Sequence, residues 1–237
     1  MRSRDRWLGG VVLSAALSLL ATAGVQAQGI EASHGHPNRL VSATPEFAVE
    51  KPRSVVVLPP VNHAKDLRAS ESVYPHVYVA MASKGYEVPA PTLVQAVLRD
   101  NGVADWGLVQ EIPVEKLAEV FGTDAALFVD IHEYGTHYQL VRTVARVELQ
   151  GRLVSLKTGR VLWEGRAKWE DVDQDTSSVA ALLINALVSQ VVRDSSNFAY
   201  RVAGSAAAHL IWSQKLPAGA LCPDVGKDGT DCYRPLQ

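Results

Sequence analysis

The spacing of apolar residues changes several times along this chain, and each change marks an element. Residues 54–58 form an apolar, mostly β-branched run that Pro59 and Pro60 follow directly. That predicts a strand buried on both faces, ended by prolines that cannot donate to a ladder. Over residues 72–84, Val73, Val77, Ala80 and Met81 share one helical face, with Gly85 placed to close the helix in a left-handed conformation. A short strand is expected at 86–88. Helices follow at 91–100, carrying Leu93, Val94, Val97 and Leu98 before an Asn101-Gly102 stop, and at 113–121 before Gly122. Residues 125–131 form a second, nearly continuous apolar run, expected beside the first strand in the sheet interior.

After that the period becomes two. Ala145, Val147, Leu149, Gly151 and Leu153 alternate with Arg146, Glu148, Gln150 and Arg152, as in a strand with one wet face. Residues 160–169 alternate as well, with Val161, Trp163, Gly165, Ala167 and Trp169 on one side, and Lys157-Thr158-Gly159 supplies the hairpin turn. An acidic loop at 171–175 precedes a helix capped by Thr176 or Ser177, whose apolar face holds Val179, Leu182, Leu183, Ala186 and Val191; a second helix is expected over 196–212. The hairpin resembles a propeller blade, but no repeat of fixed period accompanies it. Fold class is therefore α/β: a layered, mixed sheet of about five strands with packed helices.

The N-terminus changes the picture. Arg2, Arg4 and Arg6 precede an uncharged run from residue 7 to 24, which ends in Val25-Gln26-Ala27. This is the pattern of a secretory signal peptide over 1–27, cut before Gln28, and it predicts a periplasmic protein. The alternative is an uncleaved leader tethering the chain to the inner membrane, since the run approaches the roughly 20 residues that span a bilayer. Residues 28–53, with Pro37, Pro45 and Pro52, read as a linker; 54–212 form the α/β domain and 213–237 a tail. The two cysteines, Cys222 and Cys232, lie in that tail and are expected to pair in an oxidising compartment. Two free thiols or half of a metal site are the alternatives.

Lys and Arg number 23 against 25 Asp and Glu, with no basic stripe, which argues against nucleic acid. The dense ligand clusters are His34 with His36, in the linker, and Asp130, His132, Glu133 and His137. In an extended strand Asp130 and His132 share a face that Glu133 does not, so no metal site is expected. No Gly-x-Ser-x-Gly elbow, Walker loop or Gly-x-Gly-x-x-Gly occurs, so neither catalytic residues nor a cofactor are expected. Binding candidates are Pro59, Pro60 and Asn62, at the carboxyl end of a strand where α/β folds gather ligands, and the aromatics Tyr134, Tyr138, Trp163 and Trp169. Strand termination and core packing are the structural alternatives. An exposed edge of the hairpin could also pair with another chain.

Four blocks carry a family resemblance: residues 53–62 (RSVVVLPPVN), 117–131 (LAEVFGTDAALFVDI), 134–138 (YGTHY) and 153–165 (LVSLKTGRVLWEG). Together, over about 53–210, they resemble bacterial lipoproteins of unassigned function typified by a meningococcal vaccine-candidate surface antigen. The resemblance implies a fold similar to the N-terminal domain of TolB. It also implies kinship with the small modules of curli-secretion lipoproteins and penicillin-binding-protein activators, envelope assembly parts without known catalysis. The sequence departs from the family where a lipoprotein needs a cysteine directly after the signal peptide, because none precedes Cys222. The expectation is a non-enzymatic accessory or adaptor in outer-envelope assembly or secretion. Its partners would be envelope proteins, companion lipoproteins or further copies of itself, with membrane contact only if the leader is retained. A periplasmic small-ligand binder and a hydrolase with an unrecognised site are the competing readings.

Overall fold

The computed structural model describes residues 43–139, 142–173 and 191–222, all within one unit, Asn38–Gln237. The leader, His34, His36, residues 174–190 and Cys232 lie outside the described residues. In order, the elements are α1 (Pro45–Glu50), β1 (Val55–Val57), β2 (Val61–Asn62), α2 (Ala69–Ser83), α3 (Pro91–Asp100), a 3-10 turn (Trp106–Glu111) and α4 (Val114–Phe121). Then come β3 (Ala125–Gln139), β4 (Arg142–Ser155), β5 (Val161–Asp173), α5 (Val191–Ala208) and a π-helical turn (His209–Ser213).

The expected five-stranded mixed α/β sheet is present, in the order β1-β3-β4-β5, with β2 also on β3. β1 and β2 run parallel to β3; β4 and β5 are antiparallel. The first strand ends before the prolines, as read, but the chain resumes pairing on β3 directly after them as β2. Val57 pairs with Leu127 and Val61 with Asp130, so the edge chain takes four steps where β3 takes three. Pro59 and Pro60 sit in the break between the two pairings, where their missing donors interrupt no ladder. Residues 86–88 contribute a single bridge, Glu87 to Ser54, rather than a strand.

Two apolar clusters lie on opposite faces of the sheet. Leu127, Val129 and Ile131 join α2 and α5, whereas Ala126 and Phe128 join α3, the 3-10 turn and α4. The start of β3 is therefore buried on both sides, which is why its sequence is continuously apolar. Helix α2 begins a turn earlier than spacing predicts and buries Val73, Val77 and Met81; Leu93 of α3 is 57% exposed, against expectation. The left-handed closures at Gly85 (φ 90°), Gly102 (φ 85°) and Gly122 (φ 60°) are as read.

Trp163 is fully buried. Its ring lies over the cross-strand pair Gly151 and Gly165, where a Cβ on Gly151 would stand 3.0 Å from the indole, and its Nε1 donates to the Gln214 carbonyl at 2.8 Å. Beside it Leu162 is an extra residue: Leu153 pairs with Trp163 but Val154 with Val161. That bulge reverses the alternation, so Val161 packs with the opposite cluster from Trp163, correcting the simple period-two reading.

Both ends of the domain extend further than expected. Within the stretch read as linker, α1 buries Phe47, and Glu50 receives hydrogen bonds from the Ser155 and Thr158 hydroxyls of the β4–β5 turn. Within the stretch read as tail, Leu216 is core, Tyr86 donates to the Pro217 carbonyl at 2.7 Å, and the Gly219 and Leu221 amides bond the Lys84 and Gly85 carbonyls, both at 2.9 Å.

Gly151→Ala or Gly165→Ala must displace the indole; each is expected to cost about 1–3 kcal/mol in urea denaturation. A second expectation concerns the α2–α5 seam, where His76 packs against Gly204 and Tyr200, ring centroids 4.4 Å apart for the latter. Burial lowers its pKa from the usual 6.5, a hydrogen bond to the Tyr200 carbonyl opposes this, and Nε2 has no partner among the described residues. The unfolded chain then binds the proton more readily. This contribution to stability is present above the unfolded value and declines as pH falls through about 6.5, the ordinary histidine value. His76→Gln should flatten that part of a melting-temperature profile against pH.

Candidate functional site

Past the helices, the second face of the sheet is polar and organised around Asp130. Its Oδ1 accepts from Gln110 Nε2 at 2.6 Å and pairs with His63 Nε2 at 2.8 Å, joining β3 to the 3-10 turn and to the loop after β2. His63 stacks on His132 with ring centroids 5.7 Å apart and planes 16° from parallel, and His132 Nε2 meets Gln150 Oε1 at 3.2 Å. His132 is a bulge: Ile131 pairs with Leu149, but Glu133 with Glu148. The extra residue resets the alternation and puts Glu133 on the same face as Asp130, against the reading from a regular strand. Even so, no group of three His, Cys, Asp or Glu suited to a metal ion occurs among the described residues.

Further along, charge pairs cross this face. Arg146 meets Glu170 at 2.8 Å, Arg166 meets Glu148 at 3.6 Å, Lys168 lies 3.9 Å from both Glu133 and Glu148, and His137 lies 3.2 Å from Glu133. Such exposed pairs contribute about 0–1 kcal/mol each, so they keep the face wet rather than hold the sheet together. β5 is the outer strand of the sheet. At one end of β5, Thr44 N–H donates to Leu162 O at 2.9 Å.

The sequence-derived candidates do not gather into one site. Pro59 and Pro60 are buried in the break between β1 and β2, and Pro60 O accepts from Ser70. Asn62 builds its own loop: Oδ1 takes the Ala64 amide at 2.9 Å and Nδ2 donates to Asp66 O at 2.8 Å. There the Arg68 guanidinium holds the Asp66 carboxyl below its usual range. Tyr134 is buried, shares a 2.6 Å hydrogen bond with Ser72, and has its phenol pKa raised by burial. Trp163 is core. The backbone of Tyr138 pairs with Thr143; its side chain lies outside the described residues. Trp169, 38% exposed and 5.6 Å from the His209 ring, reaches the surface. Sequence reasoning missed His63 and Gln110, because without β2 nothing placed either beside Asp130.

The arrangement defines an α/β module whose sheet carries a polar, charge-paired face and whose outer strand, among the described residues, is β5. Residues 44–222 match the family described as "Putative lipoprotein GNA1162-like", and the chain belongs to it. The match begins at α1 and extends through Cys222, further in both directions than the four sequence blocks. The chain is 31% identical over 166 residues to "Putative lipoprotein NMB1124/NMB1162" of Neisseria meningitidis serogroup B, covering 70% of this chain and 77% of that protein. The crystal structure of lipoprotein GNA1162 from Neisseria meningitidis superposes with a TM-score of 0.50 at 31% identity, over 62% of this chain and 99% of that one. The PelC dodecamer from Paraburkholderia phytofirmans is similar at a TM-score of 0.45 and 14% identity, over 73% and 92%.

Tyr134→Phe should lower stability by about 1 kcal/mol through loss of the Ser72 partner, read by urea denaturation, and leave partner capture unchanged. Weaker capture at unaltered stability would make Tyr134 a contact residue instead.

Proposed function

We propose that this chain is an exported, non-enzymatic protein of the bacterial envelope, an accessory or adaptor in outer-envelope assembly or secretion that works through protein contacts. Membership of a lipoprotein family supports export to the envelope. The observation that carries a contact role is β5, thirteen residues long, beside which no further strand lies among the described residues. An unpaired strand offers a row of N–H and C=O groups to a partner strand, and long edges are rarely left without a purpose or a guard. The charged face beside it would give register and selectivity rather than raw affinity.

In this reading the leader over 1–27 is removed, the mature chain is periplasmic, and Cys222 pairs with Cys232. No helix among the described residues is long and apolar enough to cross a membrane. Cys222 is buried where the tail crosses Gly85; Cys232 lies outside the described residues.

Crosslinking and pull-down of the tagged full chain from envelope fractions should recover a specific envelope protein or a second copy, through peptides of β5. Repeated recovery of monomer alone would overturn the contact role. Peptide mapping without reduction should yield Cys222 joined to Cys232; two free thiols in protein purified from the periplasm would refute the pairing.

A further inference from the structure

The charges of β5 are ordered, and the order limits what can lie beside it. Glu164, Arg166, Lys168 and Glu170 alternate with Gly165, Ala167 and Trp169, so the charged side chains share the polar face while Trp169 stands on the other, beside His209. Lys168 and Glu170 stay 59% and 42% exposed despite their contacts within the chain. Lys168 keeps only long contacts, 3.9 Å to Glu133 and to Glu148, and Glu170 holds Arg146 at 2.8 Å. Ammonium and carboxylate groups each take several hydrogen bonds, so both keep capacity for a further partner of opposite sign.

A second copy of the same strand fits this order in one extended register. Two copies related by a two-fold axis pair antiparallel, and the residue on the axis opposes itself. Directly opposed residues share a face, so the axis must pass through a residue; between residues it would set charged positions against apolar ones. With the axis at Arg166, Lys168 or Glu170, a charge faces its own copy. At Ala167, Arg166 faces Lys168 and Glu164 faces Glu170, again like against like. At Gly165, Glu164 faces Arg166, but the run is confined to Trp163–Ala167 because Leu162 is already bonded to Thr44. At Trp169, Lys168 of each copy faces Glu170 of the other, and the paired run covers Gly165–Asp173.

We infer that a second copy of this chain is the partner of β5, the two strands pairing antiparallel about a two-fold axis at Trp169. The inference rests on the reading of β5 as a contact edge and names the occupant of that edge. Trp169, 38% exposed, then lies against its own copy, and opposed aromatic residues are a favourable cross-strand pair. A Lys168–Glu170 pair stands on either side of it. Because Glu170 also holds Arg146, and Lys168 also approaches Glu148, the charges alternate across the joint: Arg146, Glu170, then Lys168 and Glu148 of the second copy. The two sheets become one, and neither copy presents this edge to a third chain.

Sedimentation velocity of the full mature chain over a range of concentrations tests this. The wild-type chain should dimerise, and a monomer throughout would overturn the inference. Lys168→Glu sets Glu against Glu at both pairs, and Glu170→Lys sets Lys against Lys, so each variant alone should lose the dimer. Mixed together, the two variants are complementary at both pairs and should form a heterodimer. A dimer that persists in either variant alone, or a mixture that stays monomeric, would overturn the register. Hydrogen exchange needs no substitution: amides of residues 165–173 should exchange roughly tenfold more slowly where the wild-type chain is dimeric than where it is monomeric. Equal rates would refute the pairing. The two readings fail separately, because a monomer that still captures another envelope protein through β5 refutes only the self-pairing.

Discussion

Trp163 is the contact on which the rest of the fold depends. Its ring can lie flat on the sheet because Gly151 and Gly165 face each other across β4 and β5 and make a floor without side chains. From there the indole meets the end of α5 and donates to the carbonyl of Gln214, which anchors the chain that goes on to cross Gly85. A buried aromatic of this size contributes several kcal/mol through burial alone, and its N–H must find an acceptor. The tail supplies that acceptor, so strands, helix and tail form one cooperative structure.

Elements whose cause is local were readable in the sequence. The alternation of Ala145, Val147, Leu149 and Leu153 with charged neighbours describes β4 correctly, and Gly85, Gly102 and Gly122 close helices where the pattern breaks. Features set by distant partners were not. Nothing near Pro59 and Pro60 reveals that the chain resumes pairing on β3 at Val61, because β3 lies more than sixty residues away. The bulges at Leu162 and His132 are equally silent. Each adds one residue to a strand whose partner has none to match, and an alternating pattern reads through them without a visible fault. The cost was specific: Val161 was assigned to the wrong face, and Glu133 was separated from Asp130.

The candidate site was less legible than the fold for a related reason. Aromatic and proline residues near strand ends suit an interface and a core equally well on sequence grounds, and burial decides between the two. Tyr134 and Trp163 are buried, Asn62 folds its own loop, and the polar group around Asp130 is assembled from four separated segments. In the proposed contact role, the surface left for a partner is a main-chain edge with charged neighbours. Edges carry almost no sequence signature, since backbone groups are the same at every residue.

The charge pairs beside β5 decide what such an edge can discriminate. Its backbone groups offer the same hydrogen bonds to any extended segment, so in the proposed contact role selectivity falls to the neighbouring side chains. Arg146 beside Glu170, and Lys168 between Glu133 and Glu148, set both signs of charge on one face. A partner strand that brings a like charge against one of them is penalised, whereas one that matches them is held in register, so the difference between the two pairings, rather than the backbone bonds they share, selects the partner.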